Sequence, residues 1–143
     1  MSSRSDAARV ADQLHSSAIH FLRRVAREDE AAGVGPARLS ALSVVVYAGP
    51  VSLGELAAAE HVQPPTMSRI VAGLEEDGLV RRSAGADRRV TEIRATAKGL
   101  RTLDRARARR LGLIRSGLAP LSRSDLAALE RAAEIMEEIA QSR

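Results

Sequence analysis

Leu14, Ala18, Phe21, Leu22 and Val25 recur three or four residues apart, the spacing that aligns side chains on one face of an α-helix. The stripe predicts a long first helix over about Asp6 to Ala32, closed by Gly33-Val34-Gly35. Pro36 suits the first turn of a second helix, where its missing N–H is no loss. This second helix, about Pro36 to Tyr47, is apolar nearly all round through Leu39, Leu42, Val44, Val45 and Val46. A helix of that kind belongs in the centre of a fold. Gly49-Pro50 stops it.

Ser52-Leu53-Gly54-Glu55 has the form of a capping box, with the serine serving the N3 amide and the glutamate reaching back to the cap. It opens a short helix to about Glu60. His61-Val62-Gln63 is a tight connection, and Pro64-Pro65 begins another helix whose buried stripe is Met67, Ile70, Val71 and Leu74. Gly78 ends it. Leu79 to Ser83 and Arg89 to Ala95 follow, the second alternating with the period of a strand. With the turn-like Ala84 to Arg88 between them they predict a β-hairpin with a charged tip. Thr96 caps a helix to about Ser116 with Leu100, Leu103, Leu111 and Ile114 near one side. Ser122-Arg123-Ser124-Asp125 starts a last helix carrying Leu126, Leu129, Ala133, Met136 and Ala140. The stripes on the first and the last two helices exceed what the small central module can cover, which predicts pairing with a second copy.

The chain of 143 residues has no cysteine, which excludes disulfides, Cys-ligated zinc and thiol redox sensing and fits a reducing cytoplasm. The polar start Met1-Ser2-Ser3-Arg4-Ser5-Asp6 has no apolar run behind it, so a secretory leader is not expected. Leu39 to Ala59 is interrupted by Gly49-Pro50 and carries Glu55, which excludes a membrane span there. Charge is unevenly spread. Pro64 to Arg110 holds 12 Arg/Lys against 6 Asp/Glu, whereas the rest of the chain holds 10 against 12. An excess of cations in one third of a chain is the electrostatic footprint of a polyanion binder.

A short capped helix, a three-residue connection, a second helix and a basic-tipped hairpin make a winged helix-turn-helix. With Met67, Ile70, Val71 and Leu74 inward, Pro65, Thr66, Ser68, Arg69 and Ala72 face outward. Thr66, Ser68 and Arg69 can donate to phosphate or base atoms in a major groove about 12 Å wide, and the helix N-terminus is expected to favour an anion. Glu75-Glu76-Asp77 would repel phosphate, so the helix is expected to enter amino end first. An arginine of the tip, Arg88 or Arg89, can enter the narrow, negative minor groove.

Here the sequence resembles the MarR family of bacterial transcription regulators. Gly78-Leu79-Val80-Arg81-Arg82, Asp87-Arg88-Arg89 and Thr96-Ala97-Lys98-Gly99 are similar to that family's G-L-[VI]-x-R, D-x-R and L-T-x-x-G runs. Pro64 to Glu75 is similar to its recognition helix, T-[VL]-S-R-x-[VL]-x-x-L-E. Ala95 departs from the usual Leu, which removes one core contact. The likeness covers about Leu39 to Gly99 by motif and the whole chain by helix order.

The resemblance implies a mainly α fold with a small β-hairpin wing, in three parts: residues 1–35 as an N-terminal dimerisation helix, 36–99 as the winged helix-turn-helix, and 100–143 as C-terminal dimerisation helices. It implies a cytoplasmic homodimer on a pseudo-palindromic operator in double-stranded DNA, a repressor released by a small molecule. It also implies Arg89 as the wing arginine, held by Asp87. The resemblance further implies a small effector, commonly an aromatic or phenolic acid, in a cleft between the dimer helices and the winged module, for which His20, Phe21 and Tyr47 are candidate lining positions; ordinary core packing is the competing reading of Phe21 and Tyr47.

Other chemistry finds little support. His15 and His20 lie about 500° apart around a helix, His61 sits in a turn, and Glu28-Asp29-Glu30 reads as a solvated helix end, so no metal or cofactor is expected. No nucleophile, base and orienting group occur at a catalytic spacing, and no enzyme is expected. Met67 and Met136 sit at core spacing. Arg105 to Arg110 reads as a solvated face, with Arg109 and Arg110 as further phosphate candidates. The rival to DNA binding is a winged-helix protein-interaction or assembly module.

Overall fold

A computed structural model of the chain describes residues 2–31 and 33–142. Its elements are α1 (Ser2–Ala31), α2 (Pro36–Ala48), β1 (Val51–Ser52), α3 (Leu53–Ala59), α4 (Pro64–Glu76), β2 (Val80–Ala84), β3 (Thr91–Ala95), α5 (Ala97–Leu118) and α6 (Arg123–Gln141). Ala32, the expected last residue of the first helix, lies outside the described residues. The chain divides into two compact units at Arg110–Leu111.

In the first unit the core forms around α2, as its all-round apolar sequence requires. Leu39, Ala41, Leu42 and Val45 of α2 pack with Leu56 and Ala57 of α3 and with Met67, Val71 and Leu74 of α4. Val51 of β1, Leu79, Val80 of β2, Ile93 of β3 and Leu103 and Ala106 of α5 complete it. Full burial of each large aliphatic side chain contributes about 1.5–3 kcal/mol. The sheet is three-stranded and antiparallel in the order β1-β3-β2. β2 pairs with β3 from Val80↔Ala95 to Ala84↔Thr91, and β1 adds Val51↔Ile93 and Ser52↔Glu92. The hairpin expected from the sequence is therefore shorter, with Arg89 and Val90 in the tip, and it carries a third strand. Ala95, in place of a larger residue, still packs against the core half-buried.

Local chemistry fixes the helix ends. Ser52 accepts from the Glu55 amide at 3.2 Å and its own amide donates to Glu55 Oε2 at 2.7 Å, completing the capping box of α3. At the other end of α3 the Val62 amide donates to the Ala57 carbonyl and the His61 amide to Ala58. This is a Schellman ending, with His61 in the left-handed region at φ 53°. Thr96 Oγ1 accepts from the Gly99 amide at 3.0 Å to cap α5 and donates to the Gly78 carbonyl at 2.6 Å.

The second unit, Leu111 onward, takes in the end of α5 and α6. Ser122 caps α6 by accepting from the Asp125 amide at 3.1 Å. No described residue of α6 is buried: Leu126, Leu129, Ile135, Met136 and Ile139 are all exposed. Met136 is thus not a core residue of the single chain, whereas Met67 is fully buried. In α1, Leu14, Phe21 and Leu22 are likewise exposed. No single helix among the described residues is long and apolar enough to cross a membrane.

Candidate nucleic-acid interface

The sequence of α4 separates its two faces. Met67, Val71 and Leu74 are fully buried and Ile70 half-buried, which turns Pro65, Thr66, Arg69 and Ala72 to solvent and leaves Ser68 half-exposed. The amino end of α4 differs from expectation in one respect. Pro64 and Pro65 have no N–H, and the Thr66 and Met67 amides both donate to the Gln63 carbonyl, at 3.0 and 3.1 Å. The first turn therefore has no free amide with which to cradle an anion. What this end presents instead is the side chains of Thr66 and Arg69, exposed, and of Ser68, half-exposed.

The wing tip is built by Asp87. Its Oδ1 accepts from the Arg89 amide at 3.0 Å, while the Val90 amide donates to the Asp87 carbonyl at 2.9 Å and the Gly85 amide to Val90 at 2.8 Å. Asp87 thus holds Arg89 through its backbone and shapes the turn. The guanidinium groups of Arg88 and Arg89 are exposed and make no ion pair among the described residues. Lower on the wing, Arg94 of β3 donates across to Ser83 of β2 at 3.0 Å and to Glu92 of its own strand at 2.9 Å.

Two carboxylates near the end of α4, Glu75 and Asp77, are taken up in contacts within the chain. Glu75 accepts from Arg82 of β2 at 3.2 Å, tying the wing to the helix. Asp77 pairs with Arg38 of α2, whose guanidinium also donates to the Gly73 carbonyl. Lys98 of α5 donates to the Asp77 carbonyl at 2.7 Å. These cations sit where the α4 dipole is negative. Arg38 is a positioning residue that sequence reasoning missed: its partner lies 39 residues away, and no local pattern announces the pair.

Other expected residues are placed as follows. The acidic end of α1 is not fully solvated: Asp29 is buried and lies 3.3 Å from Arg110 Nε. Arg110 is half-buried by this contact, so it belongs to the packing of α5 on α1 and not to a solvated face. Phe21 and Tyr47 are exposed, at 51% and 72%, and are not core. His20 lines a cavity with Arg23, Arg24 and Arg27, so it is brought together with α1 arginines and not with Phe21 or Tyr47. Hydrogen bonds from the Ser52 amide, and then with the Ser52 hydroxyl, hold the Glu55 carboxyl below the usual glutamate range. Among the described residues no group of three or more His, Asp or Glu converges as a metal site requires.

The profile of the MarR family matches residues 36–91, which contain α2 to the start of β3. An uncharacterized HTH-type transcriptional regulator of Mycobacterium bovis is 31% identical over 130 residues, covering 90% of this chain and 91% of its own. A MarR family protein from Bacillus stearothermophilus superposes with a TM-score of 0.84 at 22% identity, over 99% of both chains. A Staphylococcus aureus MepR mutant, solved bound to an oligodeoxyribonucleotide, superposes with a TM-score of 0.69 at 16% identity, over 92% of this chain and 98% of its own. Profile, relative and architecture agree with the motifs at Gly78–Arg82, Asp87–Arg89 and Thr96–Gly99: the chain belongs to the MarR family and is a winged helix-turn-helix transcription regulator.

Proposed function

We propose that the protein works in the cytoplasm as a homodimer that binds a pseudo-palindromic operator and represses transcription until a small molecule releases it. The observation that carries this reading is the pairing, in one module, of an exposed amino end of α4 with an exposed arginine tip. Arg69, Arg88 and Arg89 have no carboxylate partner among the described residues, whereas Arg38, Arg82, Arg94 and Arg110 do. In this reading Pro65, Thr66, Ser68 and Arg69 enter the major groove. Asp87 shapes the tip from which Arg88 or Arg89 enters the minor groove. The oligonucleotide bound to the MepR mutant supports the assignment of duplex DNA as partner.

Dimerisation is supported by the apolar side chains that α1 and α6 leave in water, Leu14, Phe21, Leu22, Leu129 and Ile139 among them. Residues 1–35 and 100–143 would supply that interface and 36–99 the reading head. Two heads related by a two-fold axis fit half-sites roughly 34–36 Å apart. The effector is a small aromatic or phenolic acid, with His20, Phe21 and Tyr47 as candidate contacts. It would release DNA by binding more tightly to a dimer whose heads are wrongly spaced, and the shift equals its differential affinity for the two states. The chain is a regulator and not an enzyme in this reading.

Selection of bound sequences from a random duplex pool tests the proposal. The expected result is an inverted repeat with half-sites about one helical turn apart. Recovery of no sequence above background, under conditions where the dimer forms, would overturn it in favour of a winged-helix assembly module.

A further inference from the structure

Helix α4 and the wing meet at a corner of three residues, Asp77, Gly78 and Leu79, between α4 and β2. Gly78 stands in the left-handed region at φ 70°, which glycine enters and leaves at little cost. The side chains offered to DNA lie before this corner on α4 or after it on the wing, so a small rotation there moves one set against the other. The corner's amides serve α4: Asp77 donates to the Gly73 carbonyl at 3.1 Å, Gly78 to Glu75 at 2.9 Å and Leu79 to Leu74 at 2.8 Å. Its carbonyls serve the start of α5. Lys98 Nζ donates to the Asp77 carbonyl at 2.7 Å, Thr96 Oγ1 to Gly78 at 2.6 Å and the Thr96 amide to Leu79 at 3.0 Å. The Lys98 stem also lies over Gly78, its Cδ 4.0 Å from where a Cβ would stand. Thr96 directly follows β3, so these bonds tie the two ends of the hairpin together. Capping α5 needs only the bond from the Gly99 amide to Thr96 Oγ1; the bonds to Gly78 and Asp77 go beyond it.

We propose that Thr96 and Lys98 are positioning residues for DNA reading: by holding the Gly78 and Asp77 carbonyls they fix the angle between α4 and the wing, and neither touches DNA. Lys98 is the one lysine among 22 cationic residues. A compact ammonium on a flexible stem suits a single carbonyl, whereas a planar guanidinium fork is built for paired acceptors. What binding gains from the two residues rests on the DNA reading; the fixed angle does not.

Nitroxide labels on Ala72→Cys of α4 and Ala86→Cys of the wing tip, in a full-length chain with no native cysteine, report that angle as a distance distribution by pulsed electron spin resonance. The labelled protein is diluted into unlabelled protein so that pairs within one chain dominate. One narrow distribution is expected, broadened by Thr96→Val or Lys98→Met, which remove a donor and little volume, and kept by Thr96→Ser, which retains the hydroxyl. In anisotropy assays without labels, Lys98→Met should lose about threefold to tenfold in affinity for the selected operator, little for a scrambled duplex, and keep the parent's salt slope. Circular dichroism checks folding, and Lys98 is exposed, so Lys98→Met serves should Thr96→Val unfold. Unbroadened distributions in the folded variants would overturn the proposal, as would Thr96→Ser broadened as much as Thr96→Val. A lower salt slope in Lys98→Met would make Lys98 a phosphate contact and overturn its assignment. A parent protein that prefers no duplex would sink the operator reading and leave the distance distributions to decide the corner.

Discussion

Arg38 of α2 and Asp77, at the end of α4, form an ion pair that ties the carboxyl end of α4 to α2. The same guanidinium donates to the Gly73 carbonyl, so one side chain satisfies a carboxylate and one of the last carbonyls of α4. Arg38→Ala should lower stability by about 1–2 kcal/mol, with Arg38→Lys between it and the parent because an ammonium lacks the planar fork. Both partners are partly exposed, which keeps the effect at the lower end. Urea unfolding measures this. Operator affinity should fall with the salt slope unchanged, since Arg38 orients the helix and touches no phosphate; an altered slope would make it a contact instead.

Two glycines of α5 should respond in opposite directions. A Cβ on Gly99 would stand 2.1 Å from the Leu79 carbonyl oxygen, where α5 crosses the start of β2, so Gly99→Ala forces the two apart. It should cost about 1–3 kcal/mol. A Cβ on Gly112 meets nothing within 4 Å. Gly112→Ala should raise stability by about 0.5–1 kcal/mol through helix propensity and a less mobile unfolded chain. Thermal unfolding of the two variants separates close approach from propensity.

The capping box gives α3 an acid-sensitive start. Glu55 titrates below the ordinary glutamate value because the ionised carboxylate accepts from the Ser52 amide. A carboxyl lowered by folding contributes fully above its unfolded value, and the contribution is lost as pH falls through the lowered one. Acid should therefore loosen α3 at its first turn. A carbon-detected NMR titration should place the Glu55 midpoint below an ordinary glutamate, and Glu55→Gln should show a shallower loss of stability in acid. A Glu55 midpoint at the ordinary value would refute the coupling.

The helices and their caps could be read from the chain because their determinants are local. Ser52 and Glu55, Thr96 and Gly99, and the Met67–Val71–Leu74 stripe each lie within about two turns of one another. Strand β1 could not be, since Val51–Ser52 is too short to show a period and exists only by pairing with Ile93 and Glu92. The burial of Asp29 depends on Arg110, 81 positions later, and an acidic triplet alone reads as solvated. Residue type also misled at Pro64-Pro65. The pair marks a helix start, and α4 does begin at Pro64, yet the same missing N–H groups remove the amides that an anion site at that start would need. On α1 and α6 the pattern gives the apolar face but not what covers it.

The left-handed turn between α3 and α4 stores strain that a glycine should relieve. His61 sits at φ 53° as the residue after the α3 cap, a place where a side chain costs about 1 kcal/mol or more. His61→Gly should therefore leave stability unchanged or raise it by a few tenths of a kcal/mol, glycine's greater unfolded freedom offsetting part of the gain. His61→Val, whose branched side chain fits this region worst, should lower it. Urea midpoints in the order Gly, His, Val, highest first, are expected; the reverse order would place the strain elsewhere.

The wing and the amino end of α4 should be separable by salt. Removing one arginine that neutralises a phosphate lowers the slope of log affinity against log salt by about 0.9. Under the proposed dimeric binding two such arginines are lost, so Arg89→Ala should weaken all duplexes similarly and lower the slope by about 2. Arg88→Ala decides the ranking of the two tip arginines, which are both exposed, the Arg89 backbone being held by Asp87. Arg69→Ala should instead cost about 1–3 kcal/mol at the preferred half-site and less elsewhere if it reads a base edge. Fluorescence anisotropy with the selected operator and a scrambled duplex, across a salt series, measures all three. An Arg69→Ala loss equal on both duplexes would make Arg69 a backbone contact and leave Thr66 and Ser68 to carry base preference.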